Sequence, residues 1–133
     1  LQPWLGDTTA PKITHDWKSL LLELSRRGIP VAGVERDLML ESFLLSPDSA
    51  AADLGKLSER YLDRTLGGAV ERRAACIIEL AEFLDQQMAG RPGVQALYRE
   101  VELPLARVLA RMEELGVCVA TSHLASLSGR MDI

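Results

Sequence analysis

Aromatic side chains are scarce in this chain of 133 residues, only 5% of it, with two each of Phe, Tyr and Trp. A sequence so poor in aromatics and led by Leu and Ala favours helix over sheet. Cysteine is scarcer still. Cys76 and Cys118 lie far apart inside apolar stretches, which argues against a disulfide and predicts two small buried core residues. Reduced thiols suit a cytoplasmic protein. No apolar run approaches the roughly 20 residues needed to span a bilayer, and no basic-then-apolar leader is present, so no membrane partner is expected. An excess of positive charge is also missing. The formal net charge is −4, which counts against autonomous binding of DNA. Internal repeats and low-complexity tracts are absent. The chain opens on Leu1-Gln2-Pro3-Trp4 without a methionine and reads as a piece of something longer.

What is present is ordinary globular composition, 47% hydrophobic and 26% charged, in a length that suits one domain with a real core. Leu1 to Leu5 reads as a helix end and Gly6 to Pro11 as loop. Lys12 to Thr14 is β-permissive. Thr14 or Asp16 can cap a helix from Trp17 to Arg27, ended by Gly28, with Leu20, Leu21 and Leu24 on one face. Ile29 to Val34 suggests a short extended segment or edge strand. Asp37 caps a helix to Leu45, with Leu38, Leu40, Phe43, Leu44 and Leu45 largely buried and Pro47 preventing continuation. Asp53 caps the next, with Leu54, Leu57, Tyr61 and Leu62 facing the core.

Gly67-Gly68 breaks the chain before a long helix from Val70 to Met88, whose apolar stripe is Cys76, Ile77, Leu80, Phe83 and Leu84. Arg91-Pro92-Gly93 reads as a turn. A last long helix from Val94 to Leu115 carries Pro104 inside it, where a bend is expected, and Gly116 closes it. Val117 to Val119 is extended, and Thr121 or Ser122 caps a helix through Leu127. Trp4 and Trp17 read as core residues. His15 has no second histidine or cysteine nearby and makes a poor metal ligand, and His123 belongs to a polar helix start.

The most informative stretch is Asp37-Leu38-Met39-Leu40-Glu41-Ser42-Phe43-Leu44-Leu45-Ser46-Pro47, followed by Ser58-Glu59-Arg60-Tyr61-Leu62. It resembles the D-x-M-L-E-S-(Y/F)-x-L-x-P signature and S-E-R-Y-L helix of the bacterial family A DNA polymerases, in their 3′–5′ exonuclease domain. Upstream, Lys12-Ile13-Thr14-His15-Asp16-Trp17-Lys18 is similar to that family's K-x-x-H-(N/D)-x-K, and Gly28 to Val34 to its G-I-x-L-x-G-V. Downstream, Val101-Glu102-Leu103-Pro104-Leu105 with Val108 to Val117, including Gly116, is similar to the segment joining exonuclease and polymerase domains. The matches cover nearly all of the chain except about Leu66 to Pro92.

The resemblance implies a mainly α fold with a few short strands: a ribonuclease-H-like exonuclease domain lacking its first strands, then a long connecting helix. It divides the chain into an exonuclease-like part at 1–92 and a connector with the start of the polymerase domain at 93–133. Asp37, Met39, Leu40, Glu41, Ser42, Pro47, Glu59, Arg60, Glu102, Pro104 and Gly116 are its signature positions, with structural roles.

In that family, carboxylates from three places hold two metal ions that activate water and stabilise the leaving oxygen. The first acidic pair would lie before Lys12 and is not found. In the second motif, Asp16 matches the family's Asn, Ser19 its aromatic residue and Leu20 its metal-binding Asp. Leu20 cannot bind a cation. In the third, Arg72-Arg73 falls where acids are expected, and arginines repel metal; the connection after Leu66 also looks shortened. Asp16 is better used as a helix cap. Tyr98 and Glu102 mimic the third motif's spacing but precede the domain junction, where a solvated helix face is expected. Arg26-Arg27 and Arg72-Arg73 read as solvated pairs.

No catalytic or metal-binding residue is therefore expected, and no cofactor in this piece. The resemblance implies Mg²⁺ in the parent polymerase, DNA primer–template as partner through that parent, and packing against its polymerase domain. Exposed faces left by missing strands predict self-association, through Leu20, Leu21, Leu24, Phe43 and Leu44. The alternatives are a divergent but active metal-dependent exonuclease and a stand-alone helical interaction module.

Overall fold

The computed structural model describes residues 1–47 and 53–131. Helix dominates. α1 (Gln2–Gly6) leads into β1 (Lys12–Thr14), α2 (Trp17–Arg26), β2 (Val34–Asp37), α3 (Leu38–Leu45), α4 (Leu54–Leu62), α5 (Val70–Ala89) and α6 (Pro92–Leu97). A π-helical turn (Tyr98–Glu102) then precedes α7 (Leu103–Leu115) and α8 (Thr121–Met131). Among the described residues no helix is long and apolar enough to cross a membrane.

The helices begin where side-chain oxygens satisfy free backbone amides. Asp16, Asp37 and Asp53 each accept from amides of the first turn of α2, α3 and α4, as N-caps do. At the far end of α2, Gly28 takes φ 67°. There the Gly28 amide donates to Ser25 and the Ile29 amide to Leu24, each at 2.9 Å, the paired bonds of a Schellman cap.

The sheet has two parallel strands, with Lys12 opposite Val34, Ile13 opposite Arg36 and Thr14 opposite Asp37. The second strand thus lies downstream of the extended segment expected at Ile29 to Val34; only Val34 is shared. Pairing with β1 decides its place. The Lys12 amide donates to Gly33 at 2.8 Å, and Gly33 at φ 70° is the turn that brings the chain alongside. A Cβ there would lie 2.6 Å from the Ala10 carbonyl oxygen and 2.8 Å from that of Asp7, so glycine is required.

The core forms where α5 crosses α3 and α4. Leu38, Leu54, Leu57, Cys76, Leu80, Ala81 and Leu84 are buried together, with Ile77, Phe83, Tyr61 and Leu62 packed around them. Each fully buried leucine contributes about 1.5–3 kcal/mol. On the other side α7 packs against α2, burying Ala106 and Ala110. The two stretches expected as exonuclease-like part and connector therefore share a surface.

Several other expectations need correction. The helix expected from Val94 to Leu115 starts at Pro92 and turns π-helical over Tyr98–Glu102, where the Leu103 amide reaches the Tyr98 carbonyl. Pro104 sits in the first turn of α7 directly after the π-helical turn, which takes up the distortion that a proline imposes on a helix. Pro92 opens α6 instead of lying in a turn, and α8 runs past Leu127 to Met131. Cys118 is exposed while Cys76 is buried. In α3 the buried positions are Leu38, Glu41 and Ser42, and Phe43 faces solvent, because the Glu41 and Ser42 side chains have polar partners inside. Trp17 is 1% exposed but Trp4 is 49% exposed, its ring covering the Lys12 ammonium at 4.8 Å.

Candidate functional site

Three signature residues, Asp37, Glu41 and Ser42, lie buried near the end of β2, where α2 and α3 start side by side. Asp37 closes β2 and is 1% exposed. Its carboxylate accepts from its own helix, at the Met39 and Leu40 amides, and from α2, at the Asp16 amide (3.0 Å) and the Trp17 amide (2.7 Å). One side chain therefore caps α3 and anchors the start of α2. Burial pushes the Asp37 carboxyl up, and the four amides oppose that shift.

Glu41 is buried one turn later and meets Arg36 in a two-pronged pair: Nε to Oε1 at 2.8 Å and Nη2 to Oε2 at 2.6 Å. Arg36 also donates to Asp85 (2.9 Å) and to the Ala81 carbonyl (3.0 Å) on α5. The bond to Glu41, against the cost of burial, holds the guanidinium pKa above its usual value. Ser42 shares a hydrogen bond with the Tyr61 hydroxyl at 3.0 Å, and that ring packs on Phe83 with centroids 5.3 Å apart. Ser58 donates to the Arg64 carbonyl at 2.7 Å.

Signature positions divide accordingly. Asp37, Glu41 and Ser42 carry bonds inside the molecule; Met39, Leu40 and Glu102 are half-buried; Pro47, Glu59, Arg60 and Pro104 face solvent. Gly116 closes α7 at φ 72°.

The positions matched to the exonuclease motifs, Asp16, Ser19, Leu20 and Arg73, lie at the starts of two helices. Asp16 takes a left-handed conformation (φ 61°) and accepts from the Ser19 amide at 3.1 Å. Ser19 is exposed, and Leu20, one turn beyond Asp16, is 37% exposed. Arg73 is exposed in the first turn of α5. Among the described residues no three His, Cys, Asp or Glu side chains come together as a metal would require. The donor set around Asp16 does not fit two hard cations: Leu20 offers methyl groups, and the Asp37 and Glu41 carboxylates are engaged with amides and with Arg36.

Arg36 and Asp85 stand outside the signature, and Lys12 and Tyr98 have buried roles that the motifs do not indicate. Lys12 is buried, its ammonium donating to the Asp7 and Ala10 carbonyls at 2.8 Å each. Tyr98 was expected on a solvated face, yet it is 3% exposed and its hydroxyl accepts from the Asp37 amide at 2.7 Å. A basic residue inside a strand, just before a capping Asp, was the available signal for Arg36. Beside these residues lies a cleft of about 400 Å³ between β2 and the π-helical turn, lined by Arg36, Glu41, Asp85, Gln95, Tyr98 and Arg99 among others.

Comparison with known proteins agrees with this arrangement. A profile of the DNA polymerase I ribonuclease H-like domain matches residues 1–66. DNA polymerase I of Mycobacterium tuberculosis is 33% identical over 98% of this chain, and that of Geobacillus stearothermophilus 34% identical over 96%. The chain spans 17% of the length of each. The alignment with the former extends over 152 positions, so that relative carries residues within the matched span that this chain lacks. A solved structure described as the POL domain of Pol1 from M. smegmatis in complex with DNA primer-template and dNTP superposes with a TM-score of 0.83 and 34% identity. That match covers 97% of this chain and 23% of the other. The chain belongs to the DNA polymerase I family, and its first half is part of that family's ribonuclease H-like domain.

Proposed function

We propose that this chain is a segment of a DNA-directed DNA polymerase in which the exonuclease-like fold serves as scaffold and not as nuclease. The observation that carries this reading is the use made of the acids. Asp37 and Glu41 are committed to capping and to a buried ion pair, and Leu20 stands where the family's motif places a carboxylate. Two-metal hydrolysis needs several free carboxylates around one point, and the cluster at Asp16 does not supply them. The Mg²⁺ ions of nucleotidyl transfer would be held by another part of the enzyme.

As scaffold, the segment would present its outer face to the polymerase domain and help hold the enzyme on primer–template. Exposed apolar residues are available for such packing, Leu105, Val108, Met112 and Leu115 on α7 and Leu124 and Met131 on α8, the kind of surface that marks a packing partner. The test is degradation of end-labelled single-stranded DNA by the chain with Mg²⁺ or Mn²⁺. Background rates are expected. Degradation from the 3′ end that chelator abolishes would establish the alternative, a divergent active exonuclease.

A further inference from the structure

A second cleft, of about 260 Å³, lies between the segment at 64–67 and α5, away from the signature cluster. Its polar lining is Arg64, Thr65, Arg72 and Glu79. Arg72, Ala75 and Glu79 fall on one face of α5, three and four residues apart. Glu79, the only acid in the lining, is already paired with Arg64 at 2.7 Å. The Arg72 side chain makes no ion pair or hydrogen bond among the described residues, nor does the Thr65 hydroxyl. The Arg72 guanidinium lies against the Gly67 backbone, where a Cβ would come within 3.3 Å of its Nη1. The glycine leaves room for it.

We propose that this cleft is an oxyanion site that takes a phosphate group. After pairing, the lining keeps one unneutralised positive charge, on Arg72. A guanidinium fork matches two oxygens of a phosphate. The Thr65 hydroxyl is a donor for a third oxygen, and the edge of Arg64 not occupied by Glu79 adds a partial charge. The same lining repels metal cations. Free phosphate and the phosphodiester of a nucleic acid strand share this chemistry. The site stands on the cleft alone and does not depend on the polymerase reading.

The test is a titration of the nitrogen-15-labelled chain with inorganic phosphate at low salt. The backbone amides of Thr65 and Gly67 and the Arg72 side-chain Nε–H should shift together and saturate with a Kd on the order of 1 mM. R72A should abolish the shifts at Thr65 and Gly67, whereas R91A, a control at an exposed arginine, should leave them unchanged. E79Q frees Arg64 and should tighten binding roughly fivefold, a gain that no purely structural role predicts; thermal melts establish that each variant is folded. A parallel titration with oligothymidylate separates the sources. Shifts of the same resonances with both ligands assign the site to a nucleic acid strand, and shifts with phosphate only assign it to a free anion. Resonances that stay fixed in phosphate, or that move equally in R72A, overturn the proposal.

Discussion

The backbone amide of Asp37 donates to the hydroxyl of Tyr98, 61 residues further along the chain, at 2.7 Å in the buried interior. The bond fastens the π-helical turn to the end of β2, and so fixes α7 relative to the signature cluster. Tyr98→Phe would leave that amide buried without an acceptor, at a cost of about 1–3 kcal/mol, readable as a lowered urea midpoint. Burial, reinforced by the Glu41 and Asp37 charges, holds the Tyr98 hydroxyl above its ordinary value of 10.0. The folded state therefore keeps a proton that the unfolded chain gives up. Its stabilising contribution is complete below pH 10 and is lost as pH rises from there. Urea midpoints measured from about pH 9 to about pH 11 should fall more steeply for the parent chain than for Tyr98→Phe.

Two carboxylates meet Arg36, and their burial separates them. The Glu41 side chain is 2% exposed and that of Asp85 70%. Removing the charge in Glu41→Gln strands a mostly buried guanidinium and should cost about 3–5 kcal/mol. Asp85→Asn should cost less than about 1 kcal/mol. Chemical denaturation of both variants decides the point; equal losses would contradict the division of roles.

Gly33 and Gly28 have nearly the same φ, 70° and 67°, but different surroundings. Around Gly28 nothing lies within 4 Å of an added Cβ, while at Gly33 two carbonyl oxygens would be closer than 3 Å. Gly28→Ala should cost about 1 kcal/mol from backbone strain alone. Gly33→Ala must also displace the β1–β2 connection, and its thermal midpoint should drop clearly further.

The start of each capped helix was legible in the sequence, because Asp16, Asp37 and Asp53 act on amides two or three residues away. The apolar stripe of α5 was legible for the same local reason. What could not be read depends on distant partners. β2 lies where β1 pairs with it, so Glu35, Arg36 and Asp37 form strand despite their polarity. Glu41 is buried because Arg36 neutralises it, and Tyr98 is inside because the Asp37 amide needs an acceptor. Leu20, Ser19 and Arg73 were correctly placed on helices, but the exposure of Leu20 follows from which face of α2 meets α7. Sequence reasoning named Leu21, Leu24 and Leu44 as exposed; they are half-buried, and only Leu20 and Phe43 of that set face solvent.

Self-association, if it follows the exposed apolar face, should run through α7. Leu105, Val108, Met112 and Leu115 recur at the three-four spacing of a helix–helix seam and are 39%, 55%, 57% and 68% exposed. Light scattering over a range of concentrations should show a rising mean mass for the parent chain. Met112→Lys should return it to a monomer without lowering the thermal midpoint. A monomeric parent at high concentration would show that this face needs no cover.

The scaffold reading turns on whether the positions around Asp16 can hold a divalent metal. Manganese broadens the resonances of amides close to it, so a titration of the labelled chain with Mn²⁺ reads binding at Asp16, Ser19 and Leu20 directly. Only weak, scattered broadening at exposed acids is predicted, unchanged in Leu20→Asp, since one added carboxylate cannot assemble a two-metal site. Selective broadening of those three amides at micromolar Mn²⁺, reversed by Mg²⁺, would contradict the account.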